Sequence, residues 1–166
     1  MRYSDQILAR FGNVFALDHY TPLFDLDLDF VEQKRYTNVP GNKTVYRYKG
    51  APPEWNFPDF VKVRHPARIE LQPGSYFRPH RDHYNGDFIR LNCHPISSHP
   101  EDCTYIIGGE IQHWRPQQWM VMNPSLVHYS MNFLENNVHY VTDLIVEDQE
   151  TREWLISKIP YREGIK

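Results

Sequence analysis

The sequence predicts a mainly β fold, a sandwich or closed barrel of short strands with a few flanking helices. Three observations point to it. From Ala67 onward, apolar and polar residues alternate with the two-residue period of a half-buried strand. The runs are cut by turn formers: Pro73-Gly74, Asn85-Gly86, Pro95 to Pro100, Gly108-Gly109, Pro116, Pro124, and Leu134 to Asn137. They also follow one another closely, which is the rhythm of an all-β sandwich or barrel.

Taken in order, Ile7, Leu8 and Phe11 behind a Ser4 cap predict a short helix over Tyr3 to Phe11. Phe24 to Phe30 alternates strictly and reads as a strand with an acidic face of Asp25, Asp27 and Asp29. Those aspartates imitate a calcium loop, but its sixth and twelfth positions would be Phe30 and Tyr36 where Gly and Glu are required, so calcium is excluded. Thr44 to Tyr48 is a strand among turns, and Trp55, Phe57 and Phe60 are expected to cover an open edge or end of the sheet, or else to wall a substrate site. Strands then follow over Ala67 to Leu71, Tyr76 to Asp82, Phe88 to His94, Thr104 to Ile107, Glu110 to Trp114, Trp119 to Asn123, Val127 to Asn132 and Val138 to Val146. A helix from Gln149 to Lys158, stopped by Pro160, closes the chain.

A chain of 166 residues is long enough for one good core and short for two ordinary domains, so a single domain is expected. It divides into a covering segment (1–66), a core (67–147) and a terminal helix and tail (148–166). The 40% hydrophobic and 14% aromatic content excludes disorder. A net charge of −3 offers no phosphate-binding track, so a nucleic-acid partner is not expected. There is no signal pattern and no apolar run of bilayer length, and the expected setting is cytoplasmic. The two cysteines, Cys93 and Cys103, are expected as reduced, packed thiols.

The chemistry gathers at Pro79-His80-Arg81-Asp82. On a strand His80 and Asp82 share a face, and a distant strand of a sandwich can bring His128 beside them. Two histidines and one carboxylate form the facial triad of non-heme Fe(II) sites, with zinc the commoner wrong occupant. If His128 points inward, Ser130 and Asn132 line the same cavity, and Phe88, Arg90, Asn92 and His94 separate from Ile89, Leu91 and Cys93.

These residues carry a resemblance. The run from Leu71-Gln72-Pro73-Gly74 through His80-x-Asp82 to Arg90-Leu91, then Trp119 to Asn123, His128 and Asn132, resembles the Fe(II)/2-oxoglutarate-dependent dioxygenases, specifically their aspartyl/asparaginyl β-hydroxylase-like and proline-hydroxylase-like branch. The resemblance implies a double-stranded β-helix, a cupin-like jelly roll, whose mouth holds Fe(II) on His80, Asp82 and His128. It implies 2-oxoglutarate as cosubstrate, O2 as oxidant, and hydroxylation of an unactivated C–H bond with release of succinate and CO2. An amino acid or a peptide or protein side chain is the implied substrate. Arg90 is the expected anchor of the cosubstrate's far carboxylate, because a guanidinium fork matches a carboxylate. His139, Asn132 and Ser130 are the further cosubstrate-binding candidates.

Two departures stand out. Relatives place another arginine about ten residues after the distal histidine, where this chain has Val138 and His139, and they favour Gly where it has Gln117 and Gln118. Two other classes therefore stay open: a cupin-like metalloprotein without oxygenase activity, acting as an isomerase or sensor, and a binding domain with a degenerate site. Arg78, His83, Tyr84, Trp114 and Arg115 are expected pocket candidates. The sequence does not give the oligomeric state.

Overall fold

A computed structural model describes residues 1–22, 30–37, 42–82, 85–94, 103–133 and 137–160. In chain order the elements are α1 (Tyr3–Phe11), β1 (Val14–Tyr20), β2 (Phe30–Tyr36), β3 (Lys43–Tyr48), a 3-10 turn (Pro53–Trp55), β4 (Val63–Leu71), β5 (Tyr76–His80), β6 (Phe88–Cys93), β7 (Cys103–Ile107), β8 (Glu110–Gln112), β9 (Gln118–Met122), β10 (His128–Asn132), β11 (Asn137–Ile145) and α2 (Gln149–Ser157). The acidic strand expected over Phe24 to Phe30, the Pro40-Gly41 turn, His83, Tyr84, the 95–102 separator and the Cys103 side chain lie outside the described residues, Phe30 excepted.

The strands form a seven-stranded sheet, ordered β1-β9-β6-β11-β4-β3-β2, and a four-stranded sheet, ordered β5-β10-β7-β8. From β4 to β11 the chain passes back and forth between the sheets, and the described pairings are antiparallel. That is a jelly roll, the double-stranded β-helix expected of the sequence. On the large sheet β1 is added beside β9, and β2 and β3 extend it beyond β4.

The period-two pattern decides where the core sits. Ile89, Leu91 and Cys93 of β6, Trp119 and Val121 of β9, and Tyr140 and Leu144 of β11 point to the outer face of the large sheet and are buried there. Ile7 of α1, Leu155 of α2, Phe15 and Leu17 of β1, and Trp55 cover them. Trp55 packs against Trp119 and Tyr140, with ring centroids 5.0 and 5.4 Å apart, so this loop covers the face of the sheet and not its edge. Phe57 joins it, while Phe60 stays exposed at its margin. Burying side chains of this size stabilises the fold by roughly 1.5–3 kcal/mol each. The opposite faces of the same strands, turned toward the small sheet, carry polar residues and enclose a cavity.

Several elements differ from expectation. β1 was not anticipated, because Val14 to Leu17 are all apolar and Asp18 to Tyr20 mostly polar, so the sequence hides the alternation by which Phe15 and Leu17 are buried in the fold. β2 is almost wholly exposed and rich in charge, as suits an edge strand, so periodicity does not reveal it. β4 begins at Val63 and runs through Pro66, which a sequence argument treats as a break. A register shift accommodates it there, with His65 at φ +53°. Ser4 does not cap α1. Asp87, on the approach to β6, accepts from the Tyr3 and Ser4 N–H groups at 2.6 and 2.8 Å. Cys93 is a free, fully buried thiol. Among the described residues no helix is long and apolar enough to cross a membrane.

Candidate metal centre

His80 closes β5, His128 opens β10, and the ladder pairs the two directly. Each imidazole is fixed in the same way. His80 Nδ1 lies 2.8 Å from the Arg78 carbonyl oxygen and His128 Nδ1 lies 2.9 Å from that of Leu126. A carbonyl oxygen can only accept, so Nδ1 carries a proton in both rings, and Nε2 is the nitrogen that offers a lone pair when the ring is neutral. Both lone pairs face Asp82, at 3.8 Å from Oδ1 for His80 and 3.7 Å from Oδ2 for His128. One ligand atom from each of the three lies within 4.8 Å of the others.

Asp82 reaches this spot by a different route from the one the sequence suggested. β5 ends at His80, and the Asp82 N–H donates to the Pro124 carbonyl at 2.9 Å, so the loop preceding β10 and not strand alternation aims the carboxylate. Burial lowers the His128 pKa, His80 and Arg90 add to the effect, and the Leu126 carbonyl and Asp82 oppose it. A histidine held neutral is ready to ligate.

His80 and His128 stand on the wall of a cavity of about 300 Å³ between the sheets. Ser130, one same-face step along β10 from His128, lines it, and so do Tyr105, which pairs with Ser130, and Asn92. The Ser130 hydroxyl and the Asn92 amide nitrogen are buried and have no hydrogen-bond partner among the described residues. His139 lines the same inner wall, with Nδ1 3.0 Å from the Tyr105 hydroxyl. Its ring stacks on that of His94 at 5.3 Å. Burial keeps both neutral, pushing His94 down to about 3 and His139 well below its ordinary value. Lys43, at the start of β3, lies 3.7 Å over the Phe77 ring and is pushed down to about 8, chiefly by burial and against the pull of Asp82.

Arg90 also lines the cavity, but its guanidinium is engaged. Nε and Nη2 meet the two oxygens of Asp143 at 2.8 and 3.3 Å, and Nη1 bonds Asp82 Oδ2. Asn132 stands apart, its amide donating to the Leu71 carbonyl at 3.0 Å and tying β10 to β4. Arg78 and Arg115 point to solvent, and Trp114 packs on Tyr105 and His94 outside the cavity lining. The sequence reading missed Asp143, Tyr105 and Lys43. A signal existed only for Asp143, an acid inside the strand expected over Val138 to Val146.

Residues 60–142, half of the chain, match the family described as aspartyl/asparaginyl beta-hydroxylase. No curated protein matches the sequence. Among solved structures, a predicted oxalate decarboxylase from Thermotoga maritima is similar at 14% identity over 69% of this chain and 92% of that one, with a TM-score of 0.49. An RmlC-like cupin from Shewanella frigidimarina is similar at 9% identity over 76% and 96%, with a TM-score of 0.45. YcfD, a ribosomal oxygenase from Escherichia coli, is similar at 11% identity over 96% of this chain and 50% of that one, with a TM-score of 0.45. With a jelly-roll strand order, a histidine pair aimed at one carboxylate and a sequence match over half its length, this chain belongs to the aspartyl/asparaginyl β-hydroxylase family.

Proposed function

We propose that the protein is an Fe(II)- and 2-oxoglutarate-dependent oxygenase that hydroxylates an unactivated C–H bond of an amino acid or of a peptide or protein side chain. The observation that carries this reading is the matched anchoring of His80 and His128, which leaves two bare Nε2 atoms aimed at Asp82 on a cavity wall. Ligating histidines characteristically donate their other ring N–H to a carbonyl or carboxylate. Two nitrogens and one carboxylate suit non-heme Fe(II) and leave coordination positions open.

The chemistry supplied by iron and 2-oxoglutarate when bound is oxygen activation, with succinate and CO2 released beside the hydroxylated product. The chain's own residues bind, orient and exclude water. Ser130 and Asn92 present buried, unpartnered polar atoms to an anionic cosubstrate, and such atoms are costly to leave unmade. Tyr105 and His139 brace each other behind them. Ile69, Phe77, Ile107, Met122 and Val141 add apolar surface to the wall, and the lower local dielectric beside them strengthens these contacts.

A second reading, a cupin-like metalloprotein without oxygenase activity, draws on the neutral His139 that stands where relatives carry an arginine. Anaerobic titration of the Fe(II)-loaded protein with 2-oxoglutarate separates the two. A visible metal-to-ligand charge-transfer band, lost in His128→Ala, is the expected result. Stoichiometric metal with no band overturns the oxygenase reading in favour of the second.

A further inference from the structure

Asp143 is a fully buried carboxylate in the interior of β11, between buried Thr142 and Leu144. An isolated charge there would be expelled or neutralised, so its partners define its purpose. The ladders supply two of them in one row. Asp143 lies directly opposite Arg90 on β6 and directly opposite Arg64 on β4, so the three charged residues stand side by side across three neighbouring strands.

The row depends on the irregularity in β4. Val141 pairs with Ala67, so a regular ladder would put His65 opposite Asp143 and turn Arg64 to the other face. The register shift places Arg64 there instead, and His65 takes the left-handed φ of +53° beside it. A bulge that re-aims a side chain next to a site, at the expense of backbone strain, is a built feature.

Arg64 reaches Asp143 at 3.3 Å and is itself held by the Asn85 carbonyl at 3.0 Å and the Phe88 ring at 3.8 Å. Arg90 grips both Asp143 oxygens with Nε and Nη2, and this fixes the direction of its remaining nitrogen. That nitrogen, Nη1, bonds Asp82 Oδ2 and leaves Oδ1 on the side of His80.

We propose that Arg64, Asp143 and Arg90 form an ion-pair chain whose end orients the Asp82 carboxylate, making Arg90 a positioning residue of the metal centre and not the anchor of the cosubstrate. The inference rests on the reading of His80, Asp82 and His128 as metal ligands. Because Nη1 holds Oδ2 on the side of His128 while Oδ1 lies on the side of His80, the bond fixes how the carboxylate is turned toward the two histidines. A cosubstrate carboxylate would have to break the Asp143 fork to claim the guanidinium.

The test is calorimetric binding of Mn(II) to the metal-free protein, alongside the 2-oxoglutarate dissociation constant of the Fe(II)-saturated protein. Arg90→Met should weaken Mn(II) about 10- to 100-fold, the usual cost of losing an outer partner of a ligand, and leave the 2-oxoglutarate constant of metal-saturated protein at the wild-type value. Arg90→Lys should fail to rescue, because a point charge cannot grip Asp143 and Asp82 together. Arg64→Met should move Mn(II) affinity in the same direction by a smaller step, as should Asp143→Asn if it folds. Wild-type Mn(II) affinity in a folded Arg90→Met with weakened 2-oxoglutarate binding overturns the positioning role and makes Arg90 the cosubstrate anchor. A wild-type protein that binds no divalent metal overturns the metal-centre reading itself.

Discussion

A buried hydroxyl without a partner is a local cost that a ligand can remove. Ser130 is 2% exposed, its Oγ has no hydrogen-bond partner among the described residues, and it stands one same-face step along the strand from His128. Ser130→Ala should therefore act in opposite directions on stability and binding. The free protein should gain up to about 1 kcal/mol, because an unsatisfied group is removed. Binding of 2-oxoglutarate should weaken about tenfold, because a hydrogen bond to a charged group is lost. Thermal denaturation and the charge-transfer titration read the two effects, and a loss in both would make the hydroxyl a structural group. At this scale His80, Asp82 and His128 were legible because few residue types ligate metals and two of the three lie in one short motif. The surroundings of Arg90 were not legible. They depend on a residue at position 143 and on a register shift within β4, and no local pattern announces either.

Elements were legible where packing and local preference agree. The strands from β5 to β11 fall within a residue or two of expectation, since turn formers separate them and most alternate between an apolar and a polar face. Those that tertiary contacts alone define, β1 and β2, were missed. The turn before β9 is set by its hydrogen-bond partners and not by a glycine. Gln117 adopts φ +65°, the left-handed conformation that favours Gly, and is held there by its N–H on the His94 carbonyl at 2.7 Å and by the Thr21 N–H on its own carbonyl at 2.8 Å. Helix α1 was legible in extent but not in what caps it. Asp87, more than eighty residues away in sequence, accepts from two free N–H groups of the first turn and fixes the helix against the approach to β6. Asp87→Ala should cost about 1–2 kcal/mol in urea denaturation, and Asp87→Asn should recover only part of that, because its amide oxygen can accept one of the two N–H groups and its NH2 cannot accept the other. Equal losses from the two would mean that a single accepted N–H contributes nothing and that the cap needs both oxygens.

The whole molecule divides its large sheet into an oily outer face and a polar inner one. That division exposes it to acid, because the inner wall carries His94 and His139 stacked, buried and neutral, with Tyr105, Trp114 and the Lys43 cation around them. In the unfolded chain a histidine binds its proton near pH 6.5, whereas in the fold His94 does so only at about 3. Between those values the unfolded state binds more protons than the folded one, so stability rises with pH and is lost as the pH falls below 6.5. Each such histidine contributes a slope of about 1.4 kcal/mol per pH unit within that window. Urea denaturation of the metal-free protein at a series of pH values between 7 and 5 should show the loss. His94→Gln, which cannot titrate, should have a shallower slope by about one histidine's share. An unchanged slope in that variant would mean that His94 takes its proton in the fold as readily as in water. The inner wall would then be wet, and no longer a closed, neutral surface against which Ser130 and Asn92 could hold an anion.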